Sequence, residues 1–147
     1  RIINAFQAAN ISADRLDLRP WITERSSLSI YNEIDIALDP FPYNGTTTLC
    51  ETLWMGVPTV VLEGDRHAAR VGHSLSCMVG LQDWSASSLC EYVNIAVSSA
   101  KDRIGLKEER QMLRGKAKKS ILCDGFKFAG KLERAYDEMW RNRCYQV

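Results

Sequence analysis

Short apolar segments alternate with helix-length segments along this chain, and this pattern limits the folds that it can adopt. Ile34–Leu38 and Thr59–Leu62 have the length of buried strands, and the second is rich in β-branched residues. Thr46–Met55 between them has the length of a helix, and Gly56 follows at the position where a glycine commonly ends one. Because strands joined through a helix pair in parallel, the pattern predicts a βαβ unit.

The segment before this unit adds further elements. A helix is predicted over Arg1–Ala9 and a short strand over Arg15–Leu18. Ser26 or Ser27 is a suitable N-cap for a helix that continues to Asn32.

The second half of the chain is predicted to be helical. A helix over Arg66–Met78 carries an apolar stripe of Ala68, Val71, Leu75 and Met78. After Gly80, three helices are expected, over Ala86–Ser99, Ile104–Ile121 and Phe126–Arg143. The last of them carries a stripe of Phe128, Leu132, Tyr136, Met139 and Trp140.

Together these elements predict one α/β unit over residues 1–147, with a βα core in residues 1–80 and a helical tail in residues 81–147. The expected architecture is a Rossmann-like, doubly wound parallel sheet. Three predicted strands are few for such a sheet, and the chain starts with Arg1 rather than Met. We therefore expect a longer protein whose sheet continues before Arg1.

Composition excludes several classes of protein. The chain has 19 Lys and Arg against 18 Asp and Glu, so we expect no nucleic-acid partner bound through a strongly basic face. No apolar run approaches the roughly 18 residues that span a membrane, so no membrane partner is expected either. The five cysteines form no CxxC pair and no metal-ligand spacing, which favours free thiols in a cytoplasmic protein. A catalytic cysteine paired with a histidine is the alternative.

The loop from Asp39 to Gly45 is where we expect chemistry. Ligands of open α/β sheets bind beyond the carboxyl ends of the strands, and this loop joins a predicted strand to a predicted helix. Gly45 has no side chain, so a ligand could approach the backbone there. Thr46, Thr47 and Thr48 offer hydroxyls and unpaired backbone amides at the start of the predicted helix. An open helix N-terminus binds anions, because the helix dipole places about half a positive charge there.

Glu51 follows Thr47 by four residues and Thr48 by three, so it shares their face of the predicted helix. A carboxylate there would repel phosphate, but it could accept hydrogen bonds from two sugar hydroxyls, as in nucleotide sites. The alternative is structural: a threonine caps the helix and Glu51 benefits from its positive end. The residues alone leave both alternatives open.

His67 and Arg70 lie on one face of the predicted helix Arg66–Met78, and Ser74 continues that face. Either this face turns toward the ligand or a cleft, which its position after the carboxyl end of a strand favours, or it is an ordinary solvated surface. Trp54 is expected in the core because of its position.

Three segments resemble the O-GlcNAc transferase / SPINDLY family. Asp35–Pro58, with its Asp-Pro-Phe-Pro-Tyr-Asn-Gly-Thr-Thr-Thr motif, resembles the donor-binding signature, and Gly64–Leu75 resembles the helix that follows. Glu91–Trp140 is similar to the C-terminal part of the family. These proteins are glycosyltransferases of the GT-B fold, commonly preceded by tetratricopeptide repeats. The resemblance therefore implies the C-terminal lobe of a GT-B glycosyltransferase, with a helical C-terminal tail.

The resemblance also implies roles for individual residues. In the family, the threonine-rich helix start, here Thr46–Thr48, holds the pyrophosphate of the donor, and the acid one turn further, here Glu51, holds its ribose. Ile22 occupies the position whose backbone contacts the base. The family uses no divalent metal and no other cofactor, so the helix end would neutralise the leaving diphosphate.

The chain departs from the family pattern on the helix before Asp35. The usual lysine and base-stacking histidine correspond to about Glu24 and Ser27, so both are absent. Thr46 stands where the animal enzymes carry a histidine, whereas bacterial members and SPINDLY proteins tend to carry threonine.

The resulting hypothesis is the donor-binding lobe of an enzyme that resembles protein O-GlcNAc transferase. Its donor would be UDP-GlcNAc or another nucleoside-diphosphate sugar, and its acceptor a protein Ser or Thr reached through the preceding part of the protein. Two alternatives remain: a SPINDLY-like protein O-fucosyltransferase that uses GDP-fucose, and a non-catalytic nucleotide-binding or interaction module. No catalytic residue is assigned.

Overall fold

A computed structural model describes residues 1–20 and 25–144 of this chain, without the side chains of residues 25–27. Its strands are β1 (Ala37–Leu38), β2 (Thr59–Leu62) and β3 (Ser85–Ala86). Its α-helices are α1 (Ile2–Ala8), α2 (Thr47–Trp54), α3 (Val71–Met78), α4 (Leu89–Lys101), α5 (Arg103–Lys119) and α6 (Gly125–Cys144). Short 3₁₀ helices cover Ala13–Arg15, Arg25–Glu33, His67–Ala69, Gln82–Trp84 and Ile121–Cys123.

The three strands form one parallel sheet in the order β1-β2-β3. Leu38 pairs with Val60 across the first ladder, and Leu62 pairs with Ala86 across the second. Each crossover contains a helix, α2 before β2 and α3 before β3. The predicted parallel α/β architecture is therefore confirmed.

The core lies on both faces of β2. Val61 belongs to a buried cluster with residues of α2, α5 and the segment after α3: Leu49, Leu53, Val79, Leu81, Leu113 and Ala117. Val60 and Leu62 point to the opposite face because side chains alternate along a strand, and both are also buried. Helix α4 contacts β2 and β3 without contributing to the Val61 cluster, so we assign it to that second face. Helices on both faces make the sheet doubly wound.

The strand predicted over Arg15–Leu18 is wrong. Arg15 ends a 3₁₀ helix, and Leu16 is extended, with φ −112° and ψ 120°, but joins none of the described strands. Extended backbone becomes a strand only where a neighbouring strand supplies hydrogen bonds.

The first strand is also shorter than the predicted Ile34–Leu38. Arg110 of α5 donates hydrogen bonds to the backbone carbonyls of Ile34 and Asp35, so these two residues bond to a side chain. Conversely, β3 is a two-residue strand that has no apolar run to signal it. The described residues form three strands, as predicted, but β3 is one of them and Arg15–Leu18 is not.

The helix predicted over Arg66–Met78 is interrupted at Arg70, where a 3₁₀ helix ends and α3 begins. Its buried face differs in part from the predicted stripe: Leu75 packs against the core as predicted, but Met78 is exposed, and the fully buried residues are Ala69, Gly72, Ser76 and Val79. A Cβ atom on Gly72 would lie 2.6 Å from Val61 Cγ1. Small residues therefore form this face because the helix approaches the sheet closely.

Two smaller predictions are also wrong, those for the N-cap serines and for Trp54. The helix before β1 is a 3₁₀ helix that begins at Arg25, so Ser26 and Ser27 lie within it and do not precede it as N-caps. Trp54 is 38% exposed, so its side chain lies at the edge of the core and not inside it. The Arg114 guanidinium lies 5.0 Å from the centroid of its ring. By contrast, Gly56 has the predicted role, with φ +74° directly after the C-cap of α2.

The tail contains the three predicted helices. Ser88 caps α4 and Asp102 caps α5, each by accepting a backbone N–H with its side chain. The apolar stripe of α6 is present but exposed, with Trp140 70% and Phe128 63% exposed. Among the described residues no helix is long and apolar enough to cross a membrane.

Candidate functional site

The loop between β1 and α2 is held by its own buried polar residues. Asp39 follows β1 directly and is only 6% exposed. Its Oδ1 accepts a hydrogen bond from the Gly45 amide at 2.9 Å, which closes the loop over the cis peptide bond between Phe41 and Pro42. The backbone N–H of Asn44 donates to the Ala68 carbonyl at 2.8 Å, which joins the loop to the segment before α3.

Two polar atoms in this loop are buried without a hydrogen bond of normal geometry. They are Asp39 Oδ2 and Asn44 Nδ2. Burial raises the pKa of the Asp39 carboxyl, while the Gly45 amide and the nearby Asn44 side chain lower it to a smaller extent. The Asp39 carboxyl thus holds the conformation of the loop directly before α2.

The N-terminus of α2 is open. Thr46 is its N-cap residue but makes no side-chain capping hydrogen bond. The first amides of a helix have no intrahelical partner. Thr46, Thr47 and Thr48 are all exposed, so their hydroxyls are accessible beside those amides. The capping alternative for Thr46 is therefore contradicted, and the geometry suits an anion.

Gly45 is required by this packing. A Cβ atom on it would lie 2.5 Å from Thr48 Oγ1 and 3.4 Å from Asp39 Oδ1. Any larger residue would push the Thr48 hydroxyl away from the helix start. The predicted close approach at Gly45 is thus present, and its neighbours are the threonine and the buried aspartate.

The first turn of α2 contains no acidic residue, and Glu51 lies just beyond it. The helix dipole acts mainly within that first turn, so it explains little of why a carboxylate is placed here. Instead, Glu51 Oε2 accepts a hydrogen bond from the Tyr31 hydroxyl at 2.9 Å. Burial and this bond raise the pKa of Tyr31 to about 12. Tyr31 has no signal in the sequence, because no motif links it to a residue 20 positions away.

Thr47 and Glu51 line one cavity, of about 360 Å³, beside α2. Its other walls come from the 3₁₀ helix before β1, from α2 and α5, and from the segment after α5: Leu28, Cys50, Leu53, Trp54, Ala117, Leu122 and Cys123. A polar rim on an apolar pocket is typical of small-molecule sites. The structure thus brings Thr47 and Glu51 together, as their spacing predicts.

His67 and Arg70 line a different cavity, of about 770 Å³, along α3. Both residues are exposed, and Arg70 Nη2 lies 2.8 Å from Glu63 Oε1 just after β2. They lie at the same end of the sheet as the loop, but Thr47 and Glu51 do not line their cavity. A third cavity, of about 890 Å³, involves Ile34–Ile36 before β1, at the opposite end of the sheet.

Two predicted contacts lie outside the described residues. Ile22 is not among them, and the side chain of Ser27 is not described. The roles of Ile22 and Ser27 stay predictions. Among the described residues no group of three or more His, Cys, Asp or Glu side chains is arranged to hold a metal ion.

Comparison with known proteins gives consistent matches. The model of Glycosyl transferase family 41 matches residues 2–132. The chain is 48% identical over 131 residues to an Oryza sativa subsp. japonica protein named Probable UDP-N-acetylglucosamine–peptide N-acetylglucosaminyltransferase SPINDLY, covering 88% of this chain and 14% of that one. It is 36% identical over 111 residues to the Arabidopsis thaliana protein of the same enzyme name called SEC, covering 75% of this chain and 11% of that one.

A solved structure matches as well. A mutant of the Thermobaculum terrenum O-GlcNAc transferase is similar with a TM-score of 0.91 and 38% identity, covering 99% of this chain and 28% of that one. The parallel sheet and its helices thus correspond to the C-terminal lobe of a GT-B glycosyltransferase fold. The chain belongs to glycosyl transferase family 41.

Proposed function

We propose that this chain is the donor-binding lobe of an enzyme that transfers a sugar from a nucleoside-diphosphate sugar to a Ser or Thr hydroxyl of a protein. The single observation that carries the proposal is the open start of α2, uncapped at Thr46, with Glu51 one turn further along. An anion site followed by a hydroxyl acceptor matches a diphosphate joined to a ribose.

In this proposal the diphosphate lies on the first amides of α2. The hydroxyls of Thr46, Thr47 and Thr48 donate to its oxygens, and Gly45 leaves room for the close approach. When the bond to the sugar breaks, negative charge grows on the departing diphosphate. Amides already oriented toward that charge stabilise it without reorganising, which favours the transition state over the bound donor.

Glu51 would hold the ribose. Its carboxylate is separated by one helical turn from Thr47, and both line the same cavity. The hydroxyls of a ribose can donate to a carboxylate, whereas phosphate oxygens cannot. This arrangement therefore fixes the register of the nucleotide along α2.

UDP-N-acetylglucosamine is the donor we favour, because the names of the SPINDLY and SEC relatives give it as theirs. A cytoplasmic location is part of the proposal, since the five cysteines are free thiols, as in reducing compartments. The acceptor would be a protein segment bound with the help of the rest of the enzyme.

The test measures donor affinity in the full-length protein. Replacing Thr47→Ala together with Glu51→Ala should weaken UDP-GlcNAc binding by roughly 100-fold or more in calorimetry, because hydrogen bonds to charged groups contribute about 1.5–3 kcal/mol each. Glu108→Ala, which removes an exposed carboxylate on α5, is the matched control and should bind as the wild type does. Equal affinity of the double variant and the wild type would reject the proposed site.

A second measurement separates an enzyme from a non-catalytic module. Release of the sugar from UDP-GlcNAc by the full-length protein, or its transfer to a peptide, supports catalysis. Donor binding with no turnover toward any peptide or water would instead assign a binding module. GDP-fucose serves as the parallel donor in both assays.

A further inference from the structure

We propose that Tyr31 is a positioning residue for the donor site: its hydroxyl holds the Glu51 carboxylate in the orientation that receives the ribose hydroxyls. This inference rests on the proposed function and adds to it a residue that no sequence motif indicates. It follows from one contact, the hydrogen bond from the Tyr31 hydroxyl to Glu51 Oε2 at 2.9 Å.

The contact uses only part of the carboxylate. An ionised carboxylate has two oxygens and about four acceptor sites, and the phenol occupies one of them on Oε2. Oε1 and the remaining site on Oε2 stay available for donors. Glu51 is half-buried and lines the cavity beside α2, so a ligand can reach these sites from that cavity.

Positioning is needed because a glutamate is a flexible ligand. Its side chain has several rotatable bonds, and ordering it when the nucleotide binds would cost free energy. A hydrogen bond made before binding reduces this cost, which is the general advantage of preorganisation. Tyr31 can supply it because its backbone belongs to the 3₁₀ helix Arg25–Glu33, directly before the sheet.

The phenol also suits the charge of the site. A tyrosine hydroxyl is protonated at physiological pH even at its ordinary pKa of 10.0, and burial and the bond to Glu51 raise the pKa of Tyr31 further, to about 12. The hydroxyl therefore donates to the carboxylate. A lysine in its place would neutralise the carboxylate and compete with the ribose as its partner. A neutral donor orients the carboxylate and leaves its charge in place.

The rival explanation is structural: the bond only joins the 3₁₀ helix to α2. The two explanations differ in whether the effect on binding depends on the ribose hydroxyls of the nucleotide. A structural bond affects every nucleotide equally, whereas a positioning bond affects only nucleotides that have ribose hydroxyls.

The experiment compares Tyr31→Phe with the wild type in the full-length protein by calorimetry. The probes are UDP and its 2′,3′-dideoxy analogue. Tyr31→Phe should weaken UDP binding about fivefold to tenfold, as expected for the loss of one preorganising hydrogen bond. It should change binding of the dideoxy analogue less than about twofold. Tyr136→Phe, at an exposed tyrosine of α6, is the matched control and should bind both probes normally.

A double-mutant cycle gives a second test. In a Glu51→Ala background, Tyr31→Phe should cause little further loss of UDP affinity, because the side chain that it positions is absent. Steady-state kinetics should show a raised KM for the donor with kcat nearly unchanged, since the ribose contact is the same in ground and transition states.

The outcomes separate this inference from the proposed function. If UDP binds the wild type and requires Glu51 but not the Tyr31 hydroxyl, the positioning role is wrong and the donor site stands. Equal losses for UDP and its dideoxy analogue assign Tyr31 a structural role and also overturn the inference. If neither UDP nor GDP binds the wild type, the proposed function fails and the role of Tyr31 fails with it.

Discussion

The side-chain oxygen of Asn44 accepts a hydrogen bond from the Gly72 amide at 3.1 Å. Gly72 is the second residue of α3, so a loop residue 28 positions earlier satisfies one of the open amides of that helix. Asn44 is itself 1% exposed. The loop that carries the candidate site is thereby joined to the helix that packs against β2.

Gly72→Ala should destabilise the fold through this junction. The new Cβ would lie 2.6 Å from Val61 Cγ1, 3.0 Å from Asp39 Oδ2 and 3.2 Å from Asn44 Cγ. Overpacking of this kind typically costs about 1–3 kcal/mol. Denaturant unfolding of the full-length protein, followed through the transition of this lobe, measures the loss.

Gly115→Ala is the matched control. A Cβ there has no heavy atom within 4 Å, and the residue lies inside α5. Alanine should stabilise the helix by up to about 1 kcal/mol because glycine is the poorer helix former. If both variants had the same stability, the close approach at Gly72 would not be a constraint.

Asp39 should give the lobe an unusual pH dependence. Because burial raises the pKa of its carboxyl in the folded state, the folded protein holds this proton more tightly than the unfolded chain does. The contribution of Asp39 to stability is therefore complete below its ordinary pKa of 3.8 and is lost as the pH rises from there through the raised value.

The check is the difference in melting temperature between the wild type and Asp39→Asn across this pH range. Asparagine keeps an oxygen that can accept from the Gly45 amide, but it does not ionise. The wild type should lose stability relative to the variant as the pH rises. A difference that does not change with pH would show that burial does not control this carboxyl.

Cys50 should report on occupation of the cavity beside α2. It lines that cavity with Thr47 and Glu51, and burial raises the pKa of its thiol. Cys50 and Cys90 of α4 are both exposed, so access does not separate them. Because the thiolate is the reactive form, iodoacetamide should modify Cys50 more slowly than Cys90. Site-resolved mass spectrometry of the full-length protein measures both rates.

Nucleotide should slow this reaction further. At ten times its Kd, UDP leaves about a tenth of the sites free, so alkylation of Cys50 should fall about tenfold. The Cys90 rate serves as the internal control and should not change. Unaltered alkylation of Cys50 at saturating UDP would place the nucleotide elsewhere.

Ser88→Ala should weaken α4. The Ser88 hydroxyl accepts the Glu91 amide at 3.2 Å, and loss of such a cap costs about 1 kcal/mol. Ser98→Ala in the same helix is the control, because its hydroxyl only donates to the Ile95 carbonyl within the helix. Chemical denaturation should find Ser98→Ala neutral or slightly stabilised, and equal losses for the two serines would contradict the capping role.

The candidate site was only partly predictable. The threonine cluster, Gly45 and Glu51 follow from local spacing, since a loop glycine and three hydroxyls before a helix have a defined geometry. Tyr31 was not predictable, because it reaches Glu51 through the fold across 20 intervening positions of the chain. His67 and Arg70 were expected to face the ligand or a cleft because they follow the carboxyl end of a strand, and they line a cavity separate from that of Thr47.

Features that depend on neighbouring residues could be predicted from local sequence. These are the strand Thr59–Leu62, the helix that follows Thr46, and the positive φ of Gly56. Hydrophobic runs and backbone preferences are properties of contiguous residues, so they can be read locally.

Contacts between distant residues could not be predicted in this way, because they form only when the helices pack against the sheet. The bonds from Tyr31 to Glu51, from Gly72 to Asn44 and from Arg110 to Asp35 join residues 20, 28 and 75 positions apart. Such contacts depend on how the helices pack against the sheet, and the same packing shortened β1 and placed small residues on the buried face of α3. A periodic pattern specifies a helix, but the distance of that helix from its neighbours specifies which side chains fit.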